Sequence, residues 1–157
     1  MEFIVHTMIY GGETVRSDWI LRNYRASDYL MYKQIYDDCF RPMRRALGIE
    51  PVDCCDSQSG LLKKADSIFI LEFEKVLIGS VAIYENEIDD LVVRKNSRRQ
   101  GYGQGLLRFA VARMQSAGVH PIRLHVADWN QGALRLYQRN GFVISETKIL
   151  GEKNAGE

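Results

Sequence analysis

Residues 98 to 105 read Arg98-Arg99-Gln100-Gly101-Tyr102-Gly103-Gln104-Gly105, between a β-rich run ending at Val93 and a run of helical periodicity. Glycine reaches positive φ without strain and leaves no Cβ to obstruct a ligand. A turn built this way points successive N–H groups into one concavity, at the end of a helix where four amides and the positive end of the dipole also lie. Such a place suits a phosphate, and Lys95, Arg98 and Arg99 add charge beside it. A Walker A loop requires GxxxxGK[ST], which is absent. A dinucleotide fingerprint requires glycine or alanine where Leu106 stands. The preceding strand carries Glu87, Asp89 and Asp90, unlike a parallel strand buried on both faces. Two readings of the glycines stay open at this point: an anion cradle, or a left-handed turn with no ligand.

Working outward, Leu106, Leu107, Ala110, Met114 and Ala117 recur at helical spacing, and Gly118 stops the helix. A strand follows from Pro121, with Leu124 and Val126 on one side. Asn130 caps a helix holding Ala133, Leu134, Leu136 and Tyr137 that ends at Asn140-Gly141, and Phe142 to Leu150 forms a last strand. Upstream, Ser67 to Phe73 and Val76 to Tyr84 form a hairpin through Glu74-Lys75, and Glu87 to Val93 extends the meander. Earlier still, residues 3 to 10 read as a strand closed by Gly11-Gly12, and 19 to 24 as another. Ser27 or Asp28 caps a helix with Tyr29, Leu30, Tyr32, Ile35, Tyr36 and Phe40 on its apolar face. Pro42 is expected to open a second, short helix ending at Gly48, and much of 51 to 66 reads as loop. This order predicts a mixed α/β layer fold of α+β type, not a regularly alternating parallel sheet.

The chain of 157 residues is long enough for one domain, expected to span 1–157. Its composition, 46% hydrophobic and 26% charged, is globular. A net charge of +1 gives no field to gather nucleic acid, so DNA and RNA are not expected partners. Cys39 stands alone and Cys54-Cys55 are adjacent, a pattern without zinc spacing or a disulfide framework, so no metal is expected. The first residues lack a signal-peptide pattern and Val76 to Tyr84 is too short to span a bilayer. The expectation is a cytoplasmic protein with no membrane partner.

The string Arg98-x-x-Gly101-x-Gly103, after Leu91-Val92-Val93 and before Leu106-Leu107, resembles the acetyl-CoA motif of the GCN5-related N-acetyltransferases. Downstream, Leu124-x-Val126 and then Asn130-x-x-Ala133-x-x-x-Tyr137-x-x-x-Gly141-Phe142 resemble that family's second strand–helix motif. The close resemblance covers about residues 76 to 145. It implies an acyl-CoA N-acyltransferase fold: a mixed, mostly antiparallel twisted sheet with helices on both faces. It further implies acetyl-CoA as co-substrate and direct transfer to a primary amine, of a small molecule or a peptide, in a ternary complex. Homodimers are common in the family, so a homodimer is admissible.

Residue by residue, the resemblance puts the pyrophosphate on Arg98, Arg99, Gln100, Gly101, Tyr102, Gly103 and Gln104, and acetyl-CoA along the edge of Leu91, Val92 and Val93, with a backbone N–H there as the oxyanion donor. The pantetheine arm falls near Asn130 and Ala133. Tyr137 would protonate the leaving thiolate, against the plainer reading of a core aromatic. Glu87 matches the strand glutamate that serves as base in some members. Strict alternation along the strand groups Glu87 with Asp89 and sets Asp90 on the opposite face. The helices and loop of 27 to 66 would shape the acceptor pocket, with Tyr32, Tyr36, Phe40 and Asp53 to Asp56 as candidates. The rival class is a non-catalytic acyl-CoA-binding or regulatory module; a second rival acetylates protein N-termini or lysines.

Overall fold

The computed structural model describes residues 2–53 and 55–151. Seven strands form one sheet: β1 (Glu2–Tyr10), β2 (Arg22–Asn23), β3 (Ile68–Phe73), β4 (Val76–Tyr84), β5 (Glu87–Val93), β6 (Arg123–Ala127) and β7 (Phe142–Gly151). Their spatial order is β2-β3-β4-β5-β6-β1-β7. Every neighbouring pair is antiparallel except β5 and β6, which are parallel. Four helices complete the fold: α1 (Tyr29–Leu47), α2 (Gln58–Lys63), α3 (Tyr102–Ser116) and α4 (Gln131–Arg139).

Alternation along the strands builds a core on each face of the sheet. Phe69 and Val81 face α3 and α4, where Leu106, Leu107, Ala110 and Met114 are buried with Leu134. Their neighbours Ile68, Ile70 and Ala82 face α1 and pack with Tyr32 and Ile35. A tight β3–β4 hairpin turns on Glu74 and Lys75, both left-handed (φ 49° and 65°), the conformation that matches the twist of the flanking strands.

Three local expectations change. Residues 19 to 24 do not form a full strand: Arg22–Asn23 alone pair with β3. Trp19 is drawn instead onto α3, where its indole lies against Gly105 and a Cβ there would overlap the ring. Pro42 does not begin a second helix; α1 runs through it for 19 residues and ends on left-handed Gly48 (φ 68°). Proline inside a helix costs about 3 kcal/mol, but Phe40, Met43 and Leu47 continue one apolar stripe across it, toward the cavity described below, whose wall the exposed Pro42 joins. Within 51 to 66, Ser57 accepts from the Gly60 amide at 3.1 Å and starts α2, which buries Leu61.

Because the Gly105 position is closed by Trp19, Gly105→Ala should lower unfolding free energy by about 1–3 kcal/mol through overpacking. Urea denaturation measures this, with Gly103→Ala as control: a Cβ at Gly103 meets its nearest atom at an ordinary 3.6 Å.

Candidate active site

Strands β5 and β6 pair at one position, Glu87 opposite Arg123, where the Arg123 amide also donates to the Asn86 carbonyl at 2.9 Å. Beyond it they part. The gap opens into a cavity of about 890 Å³ walled by β5, β6, the 97–103 turn, α1 and α4.

At its mouth, Arg99 (φ 62°) and Gly101 (φ 84°) are left-handed, the kind of alternation that curls successive amides into an anion-binding nest. Gly101 is the N-cap residue of the 15-residue α3. Among the described residues, no hydrogen bond of good geometry ties the amides of 98 to 104 to a protein acceptor. Arg98, Arg99, Tyr102 and Gly103 line the cavity. The Arg98 guanidinium donates to the Val93 carbonyl at 3.2 Å and lies 3.2 Å from Cys39 Sγ. Gln100 and Gln104 stand outside the wall, reaching Asn96 and Asn140, and Gly101 contributes backbone shape alone.

Of the three β5 positions on the edge expected to run beside acetyl-CoA, Leu91 and Val93 line the cavity. The Val92 side chain points the other way and is 1% exposed in the core beneath α1, which leaves the expected role on this strand to the backbone. Asn130 Oδ1 accepts from the Ala133 amide at 3.2 Å and caps α4, while its NH2 group has no protein acceptor among the described residues; both residues line the cavity. Tyr137 lies in the same wall, its ring edge-on to Phe142 and its hydroxyl without a hydrogen bond among the described residues. Burial pushes that hydroxyl up to about 12, with the Asp89 charge adding to it.

The acidic strand differs from strict alternation. The β4–β5 register shifts between Ser80 and Ala82, and Asp90 is left-handed (φ 48°). This bulge inserts a residue, so Ile88 faces α3 while Val92 faces α1. Asp89 and Asp90 therefore both line the cavity, and the expectation that Asp90 lies on the other face is corrected. Tyr36 of α1 donates a hydrogen bond to Asp90, whose carboxyl is pushed up to about 7. Burial is the main cause and the adjacent Asp89 charge the next, while Lys64 pulls the other way. Asp89 is raised as well, by desolvation first and the Glu87 charge next.

Glu87 is not part of the cavity wall. Its Oε1 lies 3.1 Å from Arg123 Nε and 2.9 Å from His125 Nε2, whose other ring nitrogen is 3.0 Å from Thr7 Oγ1. Among the acceptor candidates, Tyr36 and Phe40 line the cavity. Tyr32 is core, and Asp53 is engaged by Arg41 at 2.7 Å. Cys54 lies outside the described residues. Sequence reasoning missed Cys39 and Trp129 of the wall, which carry no motif. It also missed the bulge, whose one local sign is an aspartate where the backbone turns left-handed.

A mixed sheet that splays at its centre over a glycine turn is the acyl-CoA N-acyltransferase fold, and solved structures share it. The PaiA N-acetyltransferase of Thermoplasma acidophilum, solved in complex with coenzyme A, superposes with a TM-score of 0.70 at 19% identity over 82% of this chain and 92% of its own. A Novosphingobium aromaticivorans protein assigned to the GNAT family gives 0.69 at 19% identity over 95% of this chain and 63% of its own. In sequence, 60 residues are 45% identical to the chloroplastic GCN5-related N-acetyltransferase 6 of Arabidopsis thaliana, a match spanning 38% of this chain and 21% of that protein. The model of the Acetyltransferase (GNAT) family matches residues 29–142. The chain belongs to that family.

Asp90 gives the site a pH signature. Its carboxyl titrates near 7 when folded and near the ordinary 3.8 when unfolded, so the folded chain holds more protons in that interval and stability falls as pH rises through it. Asp90→Asn should therefore gain on the parent protein as pH rises from the unfolded to the folded value, with a constant difference above it. Thermal melts across that range measure the effect, and Asp89 leaves a smaller residual slope.

Proposed function

We propose that the protein transfers an acetyl group from acetyl-CoA to a primary amine by direct attack in a ternary complex. The observation that carries this reading is the 98–104 turn at the N-terminus of α3, whose amides make no hydrogen bond of good geometry to a described acceptor and whose Arg98, Arg99, Tyr102 and Gly103 line the splayed cavity. Amides so placed suit a diphosphate, with Arg98 and Arg99 beside them. The parted backbone of β5 and the Asn130 NH2 suit the amides of a pantetheine arm.

When bound, acetyl-CoA would supply an activated acyl carbon; the chain's residues would bind, orient and move protons. An alkylammonium has a pKa near 10, so the acceptor must lose a proton before it attacks. We assign that proton to the Asp89–Asp90 pair, because both carboxyls line the cavity and Asp90 is poised near neutrality. Glu87, singled out as base by motif position, would act from behind: held by Arg123 and His125, its charge raises the proton affinity of Asp89. As the new N–C bond forms and the C–S bond breaks, Tyr137 would give its proton to the departing sulfur. Its raised pKa keeps it protonated at neutral pH.

Acetyl-CoA turnover on a panel of amines, with coenzyme A binding measured by calorimetry, tests the reading. Tyr137→Phe should lower kcat about 100-fold or more while leaving coenzyme A affinity within about twofold. Coenzyme A binding with no turnover on any amine would favour the binding module instead, and failure to bind coenzyme A would overturn both.

A further inference from the structure

Part of the cavity wall is apolar and belongs to neither core. On α1, Met43 and Leu47 follow Tyr36 and Phe40 along one side of the helix, and Phe3 and Val5 come from β1; all line the cavity and all are half-buried. Of these, Met43, Leu47, Phe3 and Val5 lie outside both apolar cores. The register fixes the side that β1 presents. Met8 pairs with Leu124, and both are buried in the core with α3. Val5 pairs with Ala127, and alternation turns Val5 and Phe3 to the other face of the sheet, the one α1 covers over β3 and β4. The end of α1 and the face of β1 thus flank one groove within the cavity. Apolar side chains that converge on a space the core does not fill suit an apolar ligand, which takes them out of water.

The charged residues of the cavity differ in how they are engaged. Asp89 and Asp90 line it, and among the described residues neither lies in an ion pair. Asp38 and Arg44, also in the wall, are opposite in sign and have partners of their own: Asp38 lies 3.9 Å from Arg41, and Arg44 donates to the Pro51 carbonyl at 3.3 Å. Arg98 and Arg99 belong to the turn at the mouth. An ammonium entering the groove therefore meets its free carboxyls at β5, and beyond them meets apolar side chains.

We propose that the acceptor is a primary amine carried on an uncharged, apolar body about as long as an octyl chain. Its nitrogen sits at Asp89 and Asp90, and its body lies between Phe40 and Met43 of α1 on one side and Phe3 and Val5 of β1 on the other. The length follows from the helix. Tyr36 donates to Asp90, and Met43 is the seventh residue after it, about 10 Å along at a rise of about 1.5 Å per residue. A charge at the far end of such a body would lose its water among apolar side chains and is disfavoured. The inference rests on the transferase reading of the same cavity and names the class of amine that reading leaves open.

Calorimetry on the full chain saturated with coenzyme A tests the groove apart from the chemistry, with acetyl-CoA turnover recorded on the same amines. Octylamine should bind at least about tenfold tighter than octanediamine or aminooctanoate, which differ from it only at the far end. From propylamine to octylamine, affinity should rise about two- to fourfold with each added methylene. Met43→Gln and Val5→Thr, each close to its parent in shape, should weaken octylamine about fivefold or more while leaving propylamine and coenzyme A within about twofold. Octanediamine or aminooctanoate binding as tightly as octylamine, affinity indifferent to chain length, variants that bind octylamine like the parent, or no binding of any amine would each overturn the inference. Octylamine bound in the expected order but never acetylated would uphold the groove and sink the transfer reading. Acetyl product made best from octanediamine or aminooctanoate would uphold transfer and overturn the inference. Should a variant fail to fold, the chain-length series on the parent protein decides.

Discussion

Strands β5 and β6 touch at one end and separate toward the other, and the cavity exists because of that separation. A parallel pair in mid-sheet ordinarily bonds along its length, since unpaired buried backbone groups are costly. Here the joined end is held by a cluster: the Arg123 amide on the Asn86 carbonyl, and Glu87 between Arg123 and His125. The charge-assisted contacts hold together the residues where ladder pairing stops. From there the β5 backbone faces open space, with the 97–103 turn at the far end. The splay leaves β5 beyond Glu87 without ladder pairing to β6.

The bulge at Asp89–Asp90 completes the site. Without it, alternation would place one of the two carboxyls away from the cavity. The inserted residue turns a strand that would show one acidic side chain to the cavity into one that shows two, with the Asp89 charge raising the proton affinity of Asp90. A left-handed aspartate is a mild strain that the surrounding strands over-determine, and such strain collects where chemistry is done.

What could be read from the sequence follows how local each feature is. The 98–105 turn, the Asn130 cap and the stops at Gly48 and Gly118 depend on a few consecutive residues and the backbone angles they permit. The strands from 67 to 93 and the helices after Val93 and Asn130 were legible for the same reason. The features that differed depend on distant partners. Trp19 leaves an expected strand because α3 offers a glycine-sized recess some eighty residues away. Pro42 is carried inside α1 because the cavity side of that helix keeps its apolar stripe. The bulge answers to register with β4, and the separation of Glu87 from the cavity answers to Arg123 and His125 on another strand. The family resemblance singled out the turn and Tyr137, but which carboxyls line the cavity required the sheet.

The position of β1 has a bearing on how the chain acquires its shape. The first of the seven strands in chain order is an interior strand, flanked by β6 and β7, the last two in that order. Contacts so distant in sequence close slowly, because the loop entropy between them is lost before any pairing is gained. The hydrophobic segment Phe3 to Tyr10 must therefore wait, unpaired, while more than a hundred residues are made. Only then can the sheet be zipped shut from both sides, and β1, β6 and β7 form a single cooperative unit.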